Sequence, residues 1–427
     1  MISHDELLVD GLYSGKDFYN FIQTSRLPRH RWYSFKEGFS ASLIEEAIKC
    51  NKKPSRKLNI LDPFCGCGTT LLTAALSDNL STGIEVNPFL VFTSKVKVSS
   101  GKWHRKNYMR RLNQVIDNAR DVLPSSLDGF STFTKKPDLS KWLFNKGVIE
   151  QFTSLVKSID IYGDSYSKAF KLSALAAVMA CCNAKPDGKG VRYKKDWKTI
   201  KYSKRHVINR FRSHARMVIN DVNEFPIKDE NVPNILHGDS REILSAIETN
   251  DYDLVVTSPP YLNSFDYTDI YRPELFIGNF ITSNEALKEL RLRTIRSHVQ
   301  VDWPQTTTFE SELLAPVIKK LEGANDLWNS RIPLMVNAYF DDLWKVFQGL
   351  WSKLKVGGEA WIVVSTSAYG GVQIPTDFIL ADVGRNVGFQ LNGIHCLRRL
   401  RASGQQWKQF NTKEFPLRES LVVLKKI

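Results

Sequence analysis

Four consecutive residues, Ser258, Pro259, Pro260 and Tyr261, follow an apolar run and combine rigid hydrogen-bond acceptors with an aromatic ring. Proline fixes its own φ and has no N–H, so the carbonyls of Ser258 and Pro259 can be held outward as acceptors. These carbonyls and the Ser258 hydroxyl suit an amino group on an aromatic base, and the Tyr261 ring can stack on a base taken out of a double helix. An ordinary turn at the end of a strand also explains the segment when it is considered alone.

The chemistry that suits these residues is group transfer to an exocyclic amino nitrogen. The lone pair of such a nitrogen is shared with the aromatic ring, so the nitrogen is a poor nucleophile until acceptors pull it toward tetrahedral geometry. Two rigid acceptors can do this and can aim the nitrogen at a methyl donor. Transfer then depends on positioning more than on a strong base.

A glycine-rich turn, Asp62-Pro63-Phe64-Cys65-Gly66-Cys67-Gly68-Thr69-Thr70, follows a predicted strand and opens a predicted helix. Gly66 and Gly68 permit a tight turn close to a ligand, and the helix N-terminus offers N–H groups to a carboxylate. The turn lacks the lysine of a phosphate-binding loop, so we do not expect a nucleoside triphosphate. A doubly wound sheet binds its cofactor at such a turn.

Two acidic residues end the next predicted strands. Glu85, in Gly83-Ile84-Glu85-Val86-Asn87-Pro88, can accept hydrogen bonds from both hydroxyls of a ribose, a geometry that NAD-binding proteins share. Asp239, in Leu236-His237-Gly238-Asp239-Ser240, can accept from an adenine amino group, or can belong to a surface turn.

Short apolar runs alternate with stretches of helical periodicity, which predicts an α/β fold with a doubly wound, mostly parallel, Rossmann-like sheet. Two insertions interrupt this pattern, and an antiparallel strand pair is expected near the C-terminus. The predicted strands are Leu58–Phe64, Ser81–Val86, Asn234–Gly238, Asp253–Ser258, Glu359–Ser365, Gln390–Leu397 and Ser420–Lys425, and the predicted helices include Ser40–Lys49, Thr70–Leu80 and Tyr339–Leu354, the last closed by Gly357-Gly358. The predicted parts are a cofactor-binding part of the core (26–100), a basic, mainly helical insertion (101–230), a catalytic part (231–265), a second, mixed insertion (266–335) and the rest of the core (336–427).

The positive charge is concentrated in one segment. The whole chain has a formal charge of +14, and residues 185–216 contain twelve Lys or Arg against two Asp, a net +10. This concentration favours a localised phosphate-binding patch, although a solvated helix face is an alternative. The DNA-binding candidates are Lys189, Arg192, Lys194, Lys195 and Lys198.

Together, the glycine turn and the Thr257–Tyr261 segment resemble the amino-methyltransferases of bacterial restriction-modification systems, which use S-adenosylmethionine. The resemblance implies a class I methyltransferase fold with a cofactor site around the glycine turn and a target base at Ser258 to Tyr261. A less distinct similarity to an additional cofactor motif of the family covers residues 32–40. The implied cofactor-binding residues are Phe35, Asp62, Pro63, Phe64, Gly66, Gly68, Thr69, Thr70, Glu85, Val86, Asn87, Asp239 and Ser240, with the glycine turn on the methionine, Glu85 on the ribose and Asp239 on the adenine.

Serine at the first position of the catalytic segment is typical of the family's cytosine-N4 enzymes, and Asp or Asn of its adenine-N6 enzymes. We therefore expect site-specific methylation of cytosine N4 in flipped-out duplex DNA. Adenine N6, an amino group in structured RNA, and a non-catalytic DNA-binding subunit are the alternatives. Cytosine C5 methylation is not expected, because it needs a cysteine nucleophile, usually after a proline, and no Cys here follows a Pro.

The scattered histidines and cysteines predict no metal site, and the six cysteines fit a reduced cytosol. Charges from His4 onward argue against a signal peptide, and the longest apolar run, Leu172–Cys182, is too short to span a membrane. We expect a cytoplasmic monomer or weak dimer, with a cognate restriction endonuclease as a possible partner. The largest insertion precedes the third strand, unlike the family's usual target-recognition domain, so which insertion reads DNA stays open.

Overall fold

The computed structural model describes residues 8–10, 13, 15, 18, 21–33, 38–52, 56–187, 190–248, 251–303, 307–400 and 417–427. The strands in these ranges are β1 (Leu8–Asp10), β2 (Asn59–Asp62), β3 (Leu80–Glu85), β4 (Ala184–Asp187), β5 (Gly190–Tyr193), β6 (Asn234–His237), β7 (Tyr252–Thr257), β8 (Leu354–Ser365), β9 (Ser367–Tyr369), β10 (Val372–Ile374), β11 (Gln390–Arg399) and β12 (Arg418–Lys425).

The α-helices in the same ranges are α1 (Phe21–Thr24), α2 (Ala41–Asn51), α3 (Thr69–Leu76), α4 (Pro88–Lys97), α5 (Arg105–Asn118), α6 (Lys146–Tyr162), α7 (Ser167–Ala180), α8 (Lys204–Glu224), α9 (Ser240–Ala246), α10 (Tyr267–Ile270), α11 (Arg272–Ile277), α12 (Asn284–Leu292), α13 (Leu314–Glu322), α14 (Ile332–Lys353) and α15 (Thr376–Val387). None of the helices described here is long and apolar enough to cross a membrane.

A central sheet of eight strands has the order β1-β11-β12-β8-β7-β2-β3-β6. The five strands from β8 to β6 pair in parallel, and β12 pairs antiparallel with both β8 and β11. The predicted α/β class with a mostly parallel sheet is therefore confirmed, as is the antiparallel C-terminal pair.

Strand order also determines which loops become neighbours. From β2 the chain passes to β3 on one side, and it later places β7 on the other side of β2. Ligands bind at such a reversal of strand order, at the carboxyl ends of the strands. The turns that follow β2 and β7 therefore leave the sheet side by side.

Helices cover both faces of the sheet because its central strands carry apolar side chains on both sides. Along β7, Leu254 and Val256 pack toward α2, whereas Val255 packs toward α14 and α15. This alternation is the period of two expected for a strand, and covered faces are typical of parallel sheets.

The helices of residues 101–230 share one apolar cluster with Phe89 and Leu90 of α4 and with Leu275 of α11. Helices α5 to α8 pack together, and α8 contributes Val207, Phe211, Ala215 and Val218 at helical spacing. The hairpin β4–β5 extends from these helices and contacts α10. The division of the chain at residues 100, 230, 265 and 335 stays a prediction from the sequence.

One predicted helix end has a different structure. The glycine pair Gly357-Gly358 does not close the helix, because α14 ends at Lys353 and β8 begins at Leu354. Gly357 has a φ of +82°, and the pairing of β7 with β8 shifts register between Leu354 and Glu359. The glycines therefore form an irregularity within the strand, where a left-handed residue is tolerated.

Candidate active site

A cleft of about 440 Å³ opens at the carboxyl ends of the central parallel strands. Four parts of the chain form its wall. They are the glycine turn after β2, Glu85 at the end of β3, the turn after β6, and residues 258–261 after β7, here called the diproline segment. The predicted site residues that line it are Pro63, Phe64, Gly66, Thr69, Glu85, Val86, Asn87, Asp239, Ser240, Ser258, Pro259, Pro260 and Tyr261. The two motifs that were identified separately in the sequence thus face one space.

Asp62, Gly68 and Thr70 lie behind this wall and support it. Oδ1 of Asp62 accepts hydrogen bonds from the Phe64 N–H at 3.0 Å and from the Thr257 hydroxyl at 2.6 Å, which ties the turn after β2 to the end of β7. The carboxyl group is 1% exposed, and this burial raises its pKa to about 6. Asp62 therefore joins the two turns to each other.

Gly68 allows the helix after the turn to pack closely. It has a φ of +83°, and a Cβ atom there would lie 2.9 Å from Cβ of Ser94 on α4. The Thr70 hydroxyl donates to the Val256 carbonyl at 3.2 Å and fastens α3 to β7. Gly68 and Thr70 therefore fix the position of α3 beside the cleft.

Glu85 is bound by backbone groups on both sides. Its Oε2 accepts from the Gly66 N–H at 2.9 Å and its Oε1 from the Asn87 N–H at 2.7 Å. Burial raises its pKa to about 7, although these bonds favour the ionised form. Asn87 in turn caps α4 by accepting from the Phe89 N–H at 3.0 Å, and Pro88 begins that helix.

Asp239 caps α9 and is paired with Arg241. Its carboxylate accepts from the backbone N–H of Arg241 at 2.9 Å and from Nε at 3.0 Å, and it also pairs with Nη2. Nε lies 3.0 Å from each carboxylate oxygen, so the three donor groups of Arg241 make two contacts with each oxygen of Asp239. Nη1 of Arg241 also pairs with Asp342 at 2.7 Å, which links the turn after β6 to α14.

Hydrogen bonds from tyrosines fix the diproline segment. The Tyr339 hydroxyl donates to the Pro260 carbonyl at 2.9 Å, and the Tyr261 N–H donates to the Tyr267 hydroxyl oxygen at 3.2 Å. The Tyr261 hydroxyl donates to Oε1 of Glu419 at 2.7 Å. Backbone and ring are therefore held from three separate elements.

The second insertion supplies a wall that the sequence analysis missed. The additional lining residues include Tyr267, Thr268, Tyr271, Arg293, Thr294, Ile295, Ser297 and His298. Arg296 anchors this wall by pairing with Asp341 at 2.7 Å and with Asp342 at 2.8 Å. The aromatic residues just after Tyr261 were a local signal in the sequence. Residues 293–298 are held at the cleft by contacts with distant residues, among them Asp341, Asp342 and Arg241.

The predicted DNA-binding residues differ in their surroundings. Lys195 and Lys198 are exposed, whereas Arg192 pairs with Asp187 across the hairpin at 2.5 Å. Nζ of Lys194 donates to the Ala180 carbonyl and lies 3.3 Å from the Tyr202 hydroxyl. Two further predicted site residues, Phe35 and Lys189, lie outside the described residues.

The hairpin carries an aromatic cluster beside its lysines. The Trp197 ring lies 4.8 Å from that of Trp142 and 5.2 Å from that of Tyr193. β5 contacts α10, the helix that contributes Tyr267 and Thr268 to the cleft, so the hairpin lies next to one of the elements that line it.

Comparison with known proteins finds relatives along nearly the whole chain. The type II methyltransferase M.AvaI of Nostoc sp. is 24% identical over 91% of this chain and 84% of its own length. M.BsoBI of Geobacillus stearothermophilus is 24% identical over 93% of this chain and 85% of its own. No protein-family model matches the chain. These relatives confirm the resemblance to methyltransferases of restriction-modification systems.

The similarity of this chain to solved structures is weaker than its similarity to these relatives. TrmN from Thermus thermophilus is 9% identical, with a TM-score of 0.31, over 95% of this chain and 53% of its own. The rRNA methyltransferase aviRa from Streptomyces viridochromogenes is 10% identical, with a TM-score of 0.29, over 92% of this chain and 88% of its own. Similarity at these scores supports no conclusion about this chain.

Proposed function

We propose that this relative of the type II methyltransferases transfers a methyl group from S-adenosylmethionine to N4 of a cytosine flipped out of duplex DNA. The observation that carries the proposal is the single cleft lined by both Gly66 and Pro259. A methyl donor held at the first and an amine held at the second would share this space. The similarity to the type II methyltransferases M.AvaI and M.BsoBI supports DNA as the substrate.

The residues of the cleft fit the cofactor. Its volume of about 440 Å³ lies within the range of small-molecule sites. Each oxygen of Glu85 accepts one backbone bond and retains capacity for a ribose hydroxyl. Asp239 lines the cleft, where an adenine amino group would share its carboxylate with Arg241. Phe64 and Val86 offer apolar surface. When bound, the cofactor would supply an electrophilic methyl group on a sulfonium.

The protein's own contribution is orientation of the amine. The Ser258 hydroxyl and the Pro259 carbonyl would hold its two hydrogens, while the Tyr261 ring would stack on the base. Tyr339 and Tyr267 keep the backbone of this segment in place. Fixed acceptors accelerate transfer by removing the need to order the reactants.

Cytosine is the favoured target because serine stands at the first position of the segment, and adenine N6 is the alternative. Duplex DNA would approach over the β4–β5 hairpin and the turn that follows it, where Lys195 and Lys198 are exposed. An RNA amino group is a further alternative. We propose that the enzyme acts in the cytoplasm as a monomer or weak dimer, and a restriction endonuclease remains a possible partner.

The test is incorporation of labelled methyl into DNA from a methylation-deficient host, followed by mass analysis of the nucleosides. We expect labelled N4-methylcytosine that is lost in Ser258→Ala and Tyr261→Ala but kept in Ser352→Ala, a change at an exposed serine on α14. N6-methyladenine instead would support the adenine alternative, and label only in RNA the RNA alternative. Folded protein that neither labels nucleic acid nor binds the cofactor would indicate a non-catalytic subunit.

A further inference from the structure

Glu419 connects the diproline segment to the C-terminal strands. Its carboxylate is 7% exposed, and it accepts the Tyr261 hydroxyl at 2.7 Å through Oε1 and the Arg398 Nε–H at 2.7 Å through Oε2. Arg398 on β11 lies opposite Glu419 on β12 in the antiparallel register, so the two side chains share a face. A three-residue chain, Arg398-Glu419-Tyr261, therefore runs from the edge of the sheet to the cleft.

Strand alternation explains why this acid points toward the cleft. Its neighbours Arg418 and Ser420 both bind Asp377 at the start of α15, at 2.8 and 2.7 Å. Side chains at adjacent strand positions point to opposite faces, so Glu419 is directed away from α15. Glu419 pairs with Ser365 at the carboxyl end of β8, and Tyr261 reaches it across that strand end.

We propose that Glu419 is a positioning residue for the target base, acting through the ring of Tyr261; this inference rests on the proposed function. The backbone fixes one end of the tyrosine and Glu419 fixes the other, so the ring cannot swing about its χ1 torsion. A base stacked on this ring would then be held at one angle relative to Ser258 and Pro259. A phenylalanine could stack as well but would lack the distal anchor.

The surroundings make this anchor a strong one. Glu419 pairs with the Arg398 guanidinium at 2.7 Å, and hydrogen bonds that involve charged groups are shorter and stronger than those between neutral groups. The Tyr261 N–H also donates to the Tyr267 hydroxyl oxygen at 3.2 Å, so this residue is held both at its backbone and at the end of its ring.

The experiment compares Glu419→Ala, Glu419→Gln, Tyr261→Phe and the double variant Tyr261→Phe/Glu419→Ala under saturating DNA and cofactor. We expect Glu419→Ala to lower kcat about tenfold, the effect of losing one hydrogen bond to a charged group, with cofactor Kd unchanged. Glu419→Gln should recover much of the rate, because its amide oxygen still accepts. The double variant should be no slower than Tyr261→Phe.

Glu359→Ala is the matched control. Glu359 lies on β8, accepts hydrogen bonds from Asn51, Asn392 and Trp361, and pairs with Lys425 at the far end of β12. This change should affect stability without lowering kcat. Unchanged kcat in Glu419→Ala, or effects of the two single changes that multiply in the double variant, would overturn the inference.

A readout that needs no turnover separates this inference from the proposed function. In protein with ¹³C-labelled tyrosine rings, the Tyr261 signal, assigned by its loss in Tyr261→Phe, should shift or broaden in Glu419→Ala and stay in place in Glu359→Ala. An unchanged ring signal contradicts the inference even if the wild-type protein methylates DNA. A wild-type protein without activity contradicts the proposed function, and the ring signal still decides whether Glu419 anchors Tyr261.

Discussion

The backbone N–H of Gly66 donates to Oε2 of Glu85 at 2.9 Å, so the glycine turn and the acid of the next strand form one unit. Glu85 has capacity to accept further donors in the cleft, and burial raises its pKa to about 7. Its ionisation near neutral pH makes ligand binding there sensitive to pH.

Cofactor affinity should rise with pH through this range. The ionised fraction of a group with a pKa of about 7 increases about tenfold from pH 6 to pH 8, and only the ionised carboxylate accepts both ribose hydroxyls. Titration calorimetry with S-adenosylhomocysteine should show a Kd that falls by up to that factor. Glu85→Gln should bind weakly, with a flatter pH profile; equal profiles in both proteins would contradict the role of Glu85.

Gly68→Ala should disturb the cofactor site more than Gly357→Ala, a change at a glycine with nearly the same φ. Gly68 and Gly357 have φ values of +83° and +82°, but a Cβ at Gly68 would meet Ser94 at 2.9 Å, whereas one at Gly357 meets nothing within 4 Å. Each change should cost about 1 kcal/mol from the left-handed conformation. Gly68→Ala should cost more in urea unfolding and should alone weaken cofactor binding. Equal losses in the two variants would show that the Ser94 contact is unimportant.

The exposed lysines in the turn after β5, Lys195 and Lys198, should contribute to DNA binding independently of the DNA sequence. Lys195→Ala and Lys198→Ala should each weaken binding of a labelled duplex and reduce the slope of log affinity against log salt by about 1. Lys319→Ala, at an exposed position on α13, should leave the slope unchanged. The slopes are measured by fluorescence anisotropy. If Lys195→Ala and Lys198→Ala have the same slope as Lys319→Ala, the two lysines do not contact phosphates.

Lys194 should behave differently from its neighbours. Its ammonium group is partly buried against the Ala180 carbonyl and the Tyr202 hydroxyl. Lys194→Ala should therefore lower the melting temperature while changing the salt slope less than Lys195→Ala does. A large change in slope with an unchanged melting temperature would place Lys194 among the DNA contacts instead.

Removing the Arg241 guanidinium should destabilise the fold. Arg241→Leu leaves Asp239 and Asp342, which are largely buried, without this cation, and breaking a buried ion pair costs about 3 kcal/mol or more. Arg385→Leu, at an exposed position on α15, should change the free energy of unfolding by less than about 0.5 kcal/mol. Urea unfolding of both variants checks the difference, and a similar small change in each would contradict the predicted role of Arg241.

The sequence by itself determined the strands of the core and the residues at their carboxyl ends. The apolar runs before Asp62, Glu85, Asp239 and Ser258 are local patterns, and a parallel sheet brings the carboxyl ends of its strands to one edge. The placement of both motifs in one cleft followed from this geometry. The glycine pair at 357–358 was misassigned because glycine pairs occur both at helix ends and at irregularities in strands.

Only the tertiary structure decided which distant residues complete the cleft. Glu419 is 158 positions from Tyr261, and Arg296 reaches the wall through Asp342, 46 positions away. Neither contact leaves a periodic signal, because ion pairs and side-chain hydrogen bonds depend on how separate elements pack. The same holds for the pairing of Arg241 with Asp342, which joins the turn after β6 to α14.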